Sequence, residues 1–240
     1  MRITIIGGHG QIALLTAPKL ASSGHAVTAV IRDAAQIEDV EKTGATALVF
    51  DIEHQDQDAI GELLSASDAV IWAAGAGGGN PERTRAVDQD AAIRTIDAAV
   101  AAGIKRFVMV SYMGSRRDDV PTDNPFHHYA QAKAAADQHL IESSLNWSIL
   151  GPSRLTFGKE SQHILYGDQI DGGDTSRANV AEMLYRVVGR MDLGGAIINF
   201  RDGDVSINDA IGTIARQRAG APVSRLREGK RRAVAARANG

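Results

Sequence analysis

Tyr129 and Lys133 stand four residues apart in Tyr-Ala-Gln-Ala-Lys, inside a stretch with helical patterning. That spacing places both side chains on one face of a helix. A phenol ordinarily ionises at a pH of about 10, and an adjacent ammonium favours the phenolate. The pair therefore suits proton transfer near neutral pH. The same spacing also arises by chance, so its position matters. It follows the apolar run Phe107-Val108-Met109-Val110, which ends at Ser111. A hydroxyl at that strand end can polarise a substrate carbonyl beside the tyrosine.

A second chemical feature opens the chain. Arg2-Ile3-Thr4-Ile5-Ile6 suits a buried strand and breaks into Gly7-Gly8-His9-Gly10 before a helical pattern begins near Gln11 and Ile12. Glycines permit a tight turn and close approach of backbone to a ligand. The helix start then offers free N–H groups and a positive dipole end to an anion. Gly7, Gly10 and Ala13 give the spacing G-x-x-G-x-x-A, with Ala13 small enough for close helix–strand packing. A plain strand-to-helix turn would also use glycine. The strand before and the helix after favour a dinucleotide pyrophosphate here. His9 is expected to pack by its backbone against phosphate rather than to act in catalysis.

The next strand ends select the dinucleotide. NAD-specific sites place a carboxylate near the end of the strand Val27-Thr28-Ala29-Val30-Ile31; here that position holds Ile31, and Arg32 follows. A guanidinium there can bind a 2′-phosphate, so NADP(H) is preferred. Asp33, one residue later, keeps NAD(H) possible. Asp51, next to Ile52, can accept a bond from the adenine amino group or cap the helix that follows. Ala73-Ala74-Gly75 is small enough for a nucleotide to lie against its backbone. Gly77-Gly78-Gly79-Asn80 reads as a loop.

These motifs need a scaffold, and the apolar periodicity supplies one. Strands are expected at 2–6, 26–31, 46–50, 69–73, 106–111 and 146–150, alternating with helices near 11–23, 34–43, 56–65, 84–102 and 127–144. The alternation implies an α/β fold, a Rossmann doubly wound parallel sheet with right-handed crossovers. Its ligand lies where strand order reverses. Residues 151–220 read as a small C-terminal substrate lobe on the same domain. They hold a helix near 176–190, a strand near 196–200 and a helix near 206–218. Residues 221–240 form a basic tail, with six Lys or Arg against Glu228.

Composition narrows the function. The net charge of −3 provides no general attraction to nucleic acid, and the absence of cysteine excludes thiolate catalysis and cysteine-bound zinc. No apolar stretch approaches the roughly 20 residues that span a bilayer. The first strand leaves no room for a signal peptide, so a cytoplasmic location is expected. His128 and His139 are too far apart on a helix to share a metal, and no metal site is expected. His127 or His128 could touch substrate.

Together these segments resemble the atypical short-chain dehydrogenases/reductases, of the compact NmrA-like and biliverdin-reductase-B-like kind. The resemblance rests on the glycine turn, Arg32-Asp33, Asp51-Ile52, Ala73-Ala74-Gly75, residues 105–111, Tyr129 to Lys133, residues 151–156 and Ser176-Arg177-Ala178-Asn179-Val180-Ala181. It implies Tyr129 as general acid/base, Lys133 on the nicotinamide ribose and Ser111 on the substrate carbonyl. It also implies that Pro152, Ser153 and Arg154 pass near the nicotinamide amide. Two positions depart from the pattern. Tyr112 stands where many relatives carry a second hydroxyl residue, and Asn179 replaces a common aspartate. The implied activity is NADP(H)-dependent hydride transfer to or from a small carbonyl, quinone or alcohol. An NADP(H)-sensing binding protein and an NAD-dependent sugar-nucleotide epimerase or dehydratase are the alternatives. The sequence does not show an oligomeric state.

Overall fold

The computed structural model describes residues 1–77, 80–115 and 120–220. The basic tail and Gly78-Gly79 lie outside the described residues. The first half alternates strand and helix. β1 (Arg2–Ile6), α1 (Gln11–Ser22), β2 (Ala26–Ile31), α2 (Ile37–Glu41), β3 (Thr46–Val49), α3 (Gln57–Leu64) and β4 (Ala69–Trp72) follow in turn. Next come α4 (Pro81–Thr84), a π-helical turn (Arg85–Ala91), α5 (Ala92–Ala101), β5 (Arg106–Val110), α6 (His127–Glu142) and β6 (Asn146–Pro152).

Side chains alternate across a strand, and here both faces are covered. Ile3 and Ile5 of β1, with Ala69 and Ile71 of β4, enter a core under α1. Ile6, Val70 and Trp72 enter the opposite core with Ile96 of α5 and Phe107 of β5. Double burial explains why these strands read as continuous apolar runs. β1 pairs in parallel with both β2 and β4. The order β3-β2-β1-β4-β5-β6 therefore reverses direction between β1 and β4. The doubly wound fold expected from periodicity is the fold observed.

Two stretches differ in detail from their reading in the sequence. The helix expected over 84–102 starts earlier, at Pro81, because Asn80 caps it by accepting from the Arg83 N–H at 3.0 Å. It is also interrupted by the π turn. Residues 151–220, read as a lobe on the same domain, add strands to the main sheet. β10 (Ala196–Asp202) joins β6 in parallel, and β8 (His163–Tyr166) joins β10 antiparallel. β11 (Val205–Ser206) completes the nine-stranded sheet. Among the described residues, β7 (Arg154–Thr156) and β9 (Asp174–Ser176) form a separate two-stranded sheet. α7 (Arg177–Val187) packs on α1, and α8 (Ile207–Ala219) closes the described chain.

Asn179 shows why an amide serves at this position. Its Oδ1 accepts from the Ser161 and Gln162 N–H groups at 3.1 and 3.0 Å, while Nδ2 donates to Asp202 Oδ1 at 2.7 Å. An aspartate would set a second carboxylate against Asp202. Among the described residues no helix is long and apolar enough to cross a membrane.

Candidate active site

A groove opens at the carboxyl ends of β1 to β4, at the switch point. The glycine turn forms its floor. Gly7 has φ +83°, and a Cβ there would lie 2.6 Å from Ala74 Cα. A Cβ on Gly8 would lie 2.6 Å from the Ala29 Cβ. The first two glycines are therefore demanded by neighbouring strands, which draws the turn down to the sheet. Gly10 donates back to the Gly7 carbonyl at 2.9 Å and starts α1. No side chain caps this helix end, and its first turn carries no acid. The N–H groups of that turn, including those of Gln11 and Ile12, are left for an anion. Ala13 is buried, as its packing role requires. His9 lines the groove and meets Asp39 Oδ2 at 3.2 Å. This cradle fits a pyrophosphate.

Arg32, Gln36, Phe50, Asp51 and Ile52 line the far end. Asp33 is occupied elsewhere: its Oδ1 accepts from the Ala35 N–H at 2.9 Å and caps a short turn. The neighbouring cap is Asp56, which accepts from the Ala59 N–H at the start of α3. Asp51 is thus not the α3 cap. It accepts from the Glu53 N–H at 3.1 Å and contacts His54 at 2.9 Å. Burial pushes its carboxyl up, but these partners outweigh burial and hold it below the ordinary aspartate range.

Ala73, Ala74 and Gly75 also line the groove, whereas Ser111, Tyr129 and Lys133 are not among its lining residues. On α6, Lys133 is buried and its Nζ donates to the Val110 carbonyl at 2.8 Å. Tyr129 lies under an aromatic group, with ring centroids 5.8 Å from Tyr112 and 5.1 Å from Phe126. Burial pushes its phenol well above the ordinary value, and Asp88, Asp137 and Tyr112 push the same way. The Lys133 charge acts on Asp88, whose carboxyl burial pushes up and Lys133 draws down. Burial and these neighbours therefore favour the neutral phenol.

The Ser111 hydroxyl donates to Asp137 Oδ2 at 2.6 Å, and Ser115 donates to the same oxygen at 2.5 Å. A carbonyl contact from Ser111 requires it to leave that carboxylate. Pro152 ends β6, and the Ser153 N–H donates to Phe200 O at 3.0 Å. The exposed Arg154 pairs with Asp174, its Nε donating at 2.7 Å. These three residues do not line the groove with the glycine turn. His127 Nδ1 meets Val120 O at 2.7 Å, and His139 Nε2 meets Asp97 at 2.6 Å.

Two acids acting on Tyr129 lie outside the sequence motifs. Asp137 continues the stripe Tyr129–Lys133–Asp137 at steps of four. Asp88 sits in the buried stripe Thr84, Asp88, Ala91, Ala92 and Thr95. An acid at a helical core position was the available signal.

Comparison with known proteins gives the chain's family. A family profile described as NAD(P)H-binding matches residues 7–190. "UPF0659 protein C216.03" of Schizosaccharomyces pombe is 35% identical over 227 residues, covering 86% of this chain and 92% of that one. "Uncharacterized sugar epimerase YhfK" of Bacillus subtilis is 29% identical over 213 residues, covering 88% and 99%. Among solved structures, a "Putative NAD-dependent epimerase/dehydratase" from Bacillus halodurans superposes with a TM-score of 0.81 at 28% identity, covering 89% of this chain and 99% of that one. With a profile match over most of the chain and a pyrophosphate cradle at the switch point, the chain belongs to the NAD(P)H-binding family.

Proposed function

We propose that the protein is an NADP(H)-dependent oxidoreductase acting on a small carbonyl, quinone or alcohol. The observation that carries this reading is the course of the groove. It runs from Arg32, across the uncapped start of α1, to Gly75, where the Asp88 carboxylate lies close by and interacts electrostatically with Lys133 and Tyr129. The nicotinamide, when bound, supplies or accepts a hydride at C4. Arg32 holds the 2′-phosphate, since Asp33 is committed to its own turn. The glycine turn and the first N–H groups of α1 hold the pyrophosphate. Lys133 holds the nicotinamide ribose. Tyr129 gives its phenolic proton to the carbonyl oxygen in reduction and recovers one in the reverse direction.

Charge-assisted hydrogen bonds from Arg32 contribute about 1.5–3 kcal/mol, or roughly tenfold to a hundredfold in affinity. NADPH should bind more tightly than NADH by about this factor. Arg32→Ala should erase the difference while leaving NADH binding unchanged, as read by calorimetric titration. Equal affinities in the unmodified protein would refute the role given to Arg32. The names of two relatives favour a second reading, a sugar-nucleotide epimerase or dehydratase. That reading expects NAD to stay bound through purification.

A further inference from the structure

The Arg32 end of the groove is bounded in part by a loop. Phe50, Asp51 and Ile52, which line it, belong to the connection between β3 and α3. Loop carbonyls need partners from elsewhere in the fold, and three of these find a single side chain. Arg94 of α5 donates from Nη2 to the Glu53 carbonyl at 2.7 Å and to the Ile52 carbonyl at 3.4 Å. Its Nε donates to the Gln55 carbonyl at 3.2 Å. A planar guanidinium fork suits this task, because it fixes several donor directions at once.

Arg83 of α4 acts beside it. Its Nη1 donates to the Ala76 carbonyl at 2.8 Å, one residue past Gly75. Its Nε lies 3.5 Å from Glu53 Oε2. Glu53 is thus held by its backbone through one arginine and by its side chain through the other. Val87, on the π turn between the two arginines, lines the groove itself. One helical stretch therefore grips the loop after β3 and the segment after β4, and also supplies part of the wall.

We propose that Arg94, assisted by Arg83, is a positioning residue for cofactor binding: the two guanidiniums fix residues 52–55 against the segment after β4, so that the adenosine half of the groove is formed before a nucleotide enters. This rests on the dinucleotide reading of the groove and adds the residues that shape one half of it. Neither arginine lines the groove, so both act through the loops they hold. Removing Arg94 releases three carbonyls together and lets the loop sample other arrangements. A loop in its binding arrangement a tenth of the time binds about tenfold more weakly. The loss falls on the adenosine half and spares the nicotinamide half. An arginine that served stability alone would not divide the two.

The test titrates the full chain, followed by NMR, with 2′,5′-ADP for the adenosine half and reduced nicotinamide mononucleotide for the other. Arg94→Met should bind 2′,5′-ADP about tenfold more weakly than the native protein and the mononucleotide within about twofold. Arg94→Lys restores the charge without the fork and should stay about threefold or more below native for 2′,5′-ADP. Native affinity for 2′,5′-ADP in either variant overturns the proposal, and so does an equal loss on both halves. A measurement on the native protein covers variants that fail to fold. A ligand that binds only the braced form protects it, so 2′,5′-ADP at about ten times its Kd should slow hydrogen exchange of the Arg94 Nε–H about tenfold. Unchanged exchange also overturns the proposal. In each of these failures 2′,5′-ADP still binds the native protein, and the dinucleotide reading stands. A native protein that binds neither NADPH nor 2′,5′-ADP overturns both.

Discussion

Tyr129→Phe is expected to lower turnover of a carbonyl substrate with NADPH by about 10²–10⁴-fold, the usual worth of a positioned acid or base. The substitution keeps the ring that packs against Tyr112 and Phe126 and removes only the hydroxyl. NADPH affinity and thermal stability should therefore stay near native, which separates a chemical loss from a structural one. The test is steady-state NADPH oxidation with a substrate found by screening aldehydes, ketones and quinones. Full turnover by the variant would remove Tyr129 from the proton path.

The largest expected effect on stability lies far from the groove. Arg106 begins β5 and is completely buried. Its guanidinium donates to the Val187 and Val188 carbonyls at 3.0 and 3.3 Å, which lie at the end of α7. It also donates to Asn146 Oδ1 at 2.9 Å and Ser148 Oγ at 2.8 Å. One side chain thus ties β5, β6 and the α7 terminus together. Burial lowers its pKa to about 10, partly offset by Asp192, so the group stays charged at neutral pH. Arg106→Met fills similar volume but strands several buried acceptors, each costing about 1–3 kcal/mol. A loss of roughly 3–5 kcal/mol is expected, seen as a melting temperature lower by about 10 °C or more. A fall of less than about 2 °C would show that water or rearrangement satisfies those carbonyls.

Much of this protein was readable before folding was considered, for identifiable reasons. β1, β2, β4 and β5 are buried on both faces, so each appears as an uninterrupted apolar run between turn residues. The glycine turn was legible because Gly7 meets Ala74, just after β4, and Gly8 meets Ala29 of β2 at distances that exclude a Cβ. Tyr129 and Lys133 were legible because helical geometry fixes what lies four residues apart. Short pairings were not: β7, β9 and β11 hold two or three residues each, too few to show a period. Their pairing depends on partners distant in sequence, as does the entry of β10 beside β6. The π turn was also hidden, since Arg85-Ala86-Val87-Asp88-Gln89-Asp90-Ala91 is compatible with an ordinary helix. Hydroxyl direction was beyond reach as well. Ser111 occupies the expected strand end, yet its hydroxyl turns to Asp137, an acid 26 residues away. Arg154 likewise finds Asp174 across the small sheet.

The proposed function has NADP(H) lying along the groove from Arg32 to Gly75, with its nicotinamide end at Tyr129. A crystal structure of the protein soaked with NADP⁺ tests it most directly. The expected result has the 2′-phosphate on Arg32, the pyrophosphate over residues 7–12 and the nicotinamide ring within reach of the Tyr129 hydroxyl. A nucleotide bound with its nicotinamide end away from Tyr129, or with its 2′-phosphate free of Arg32, would contradict it.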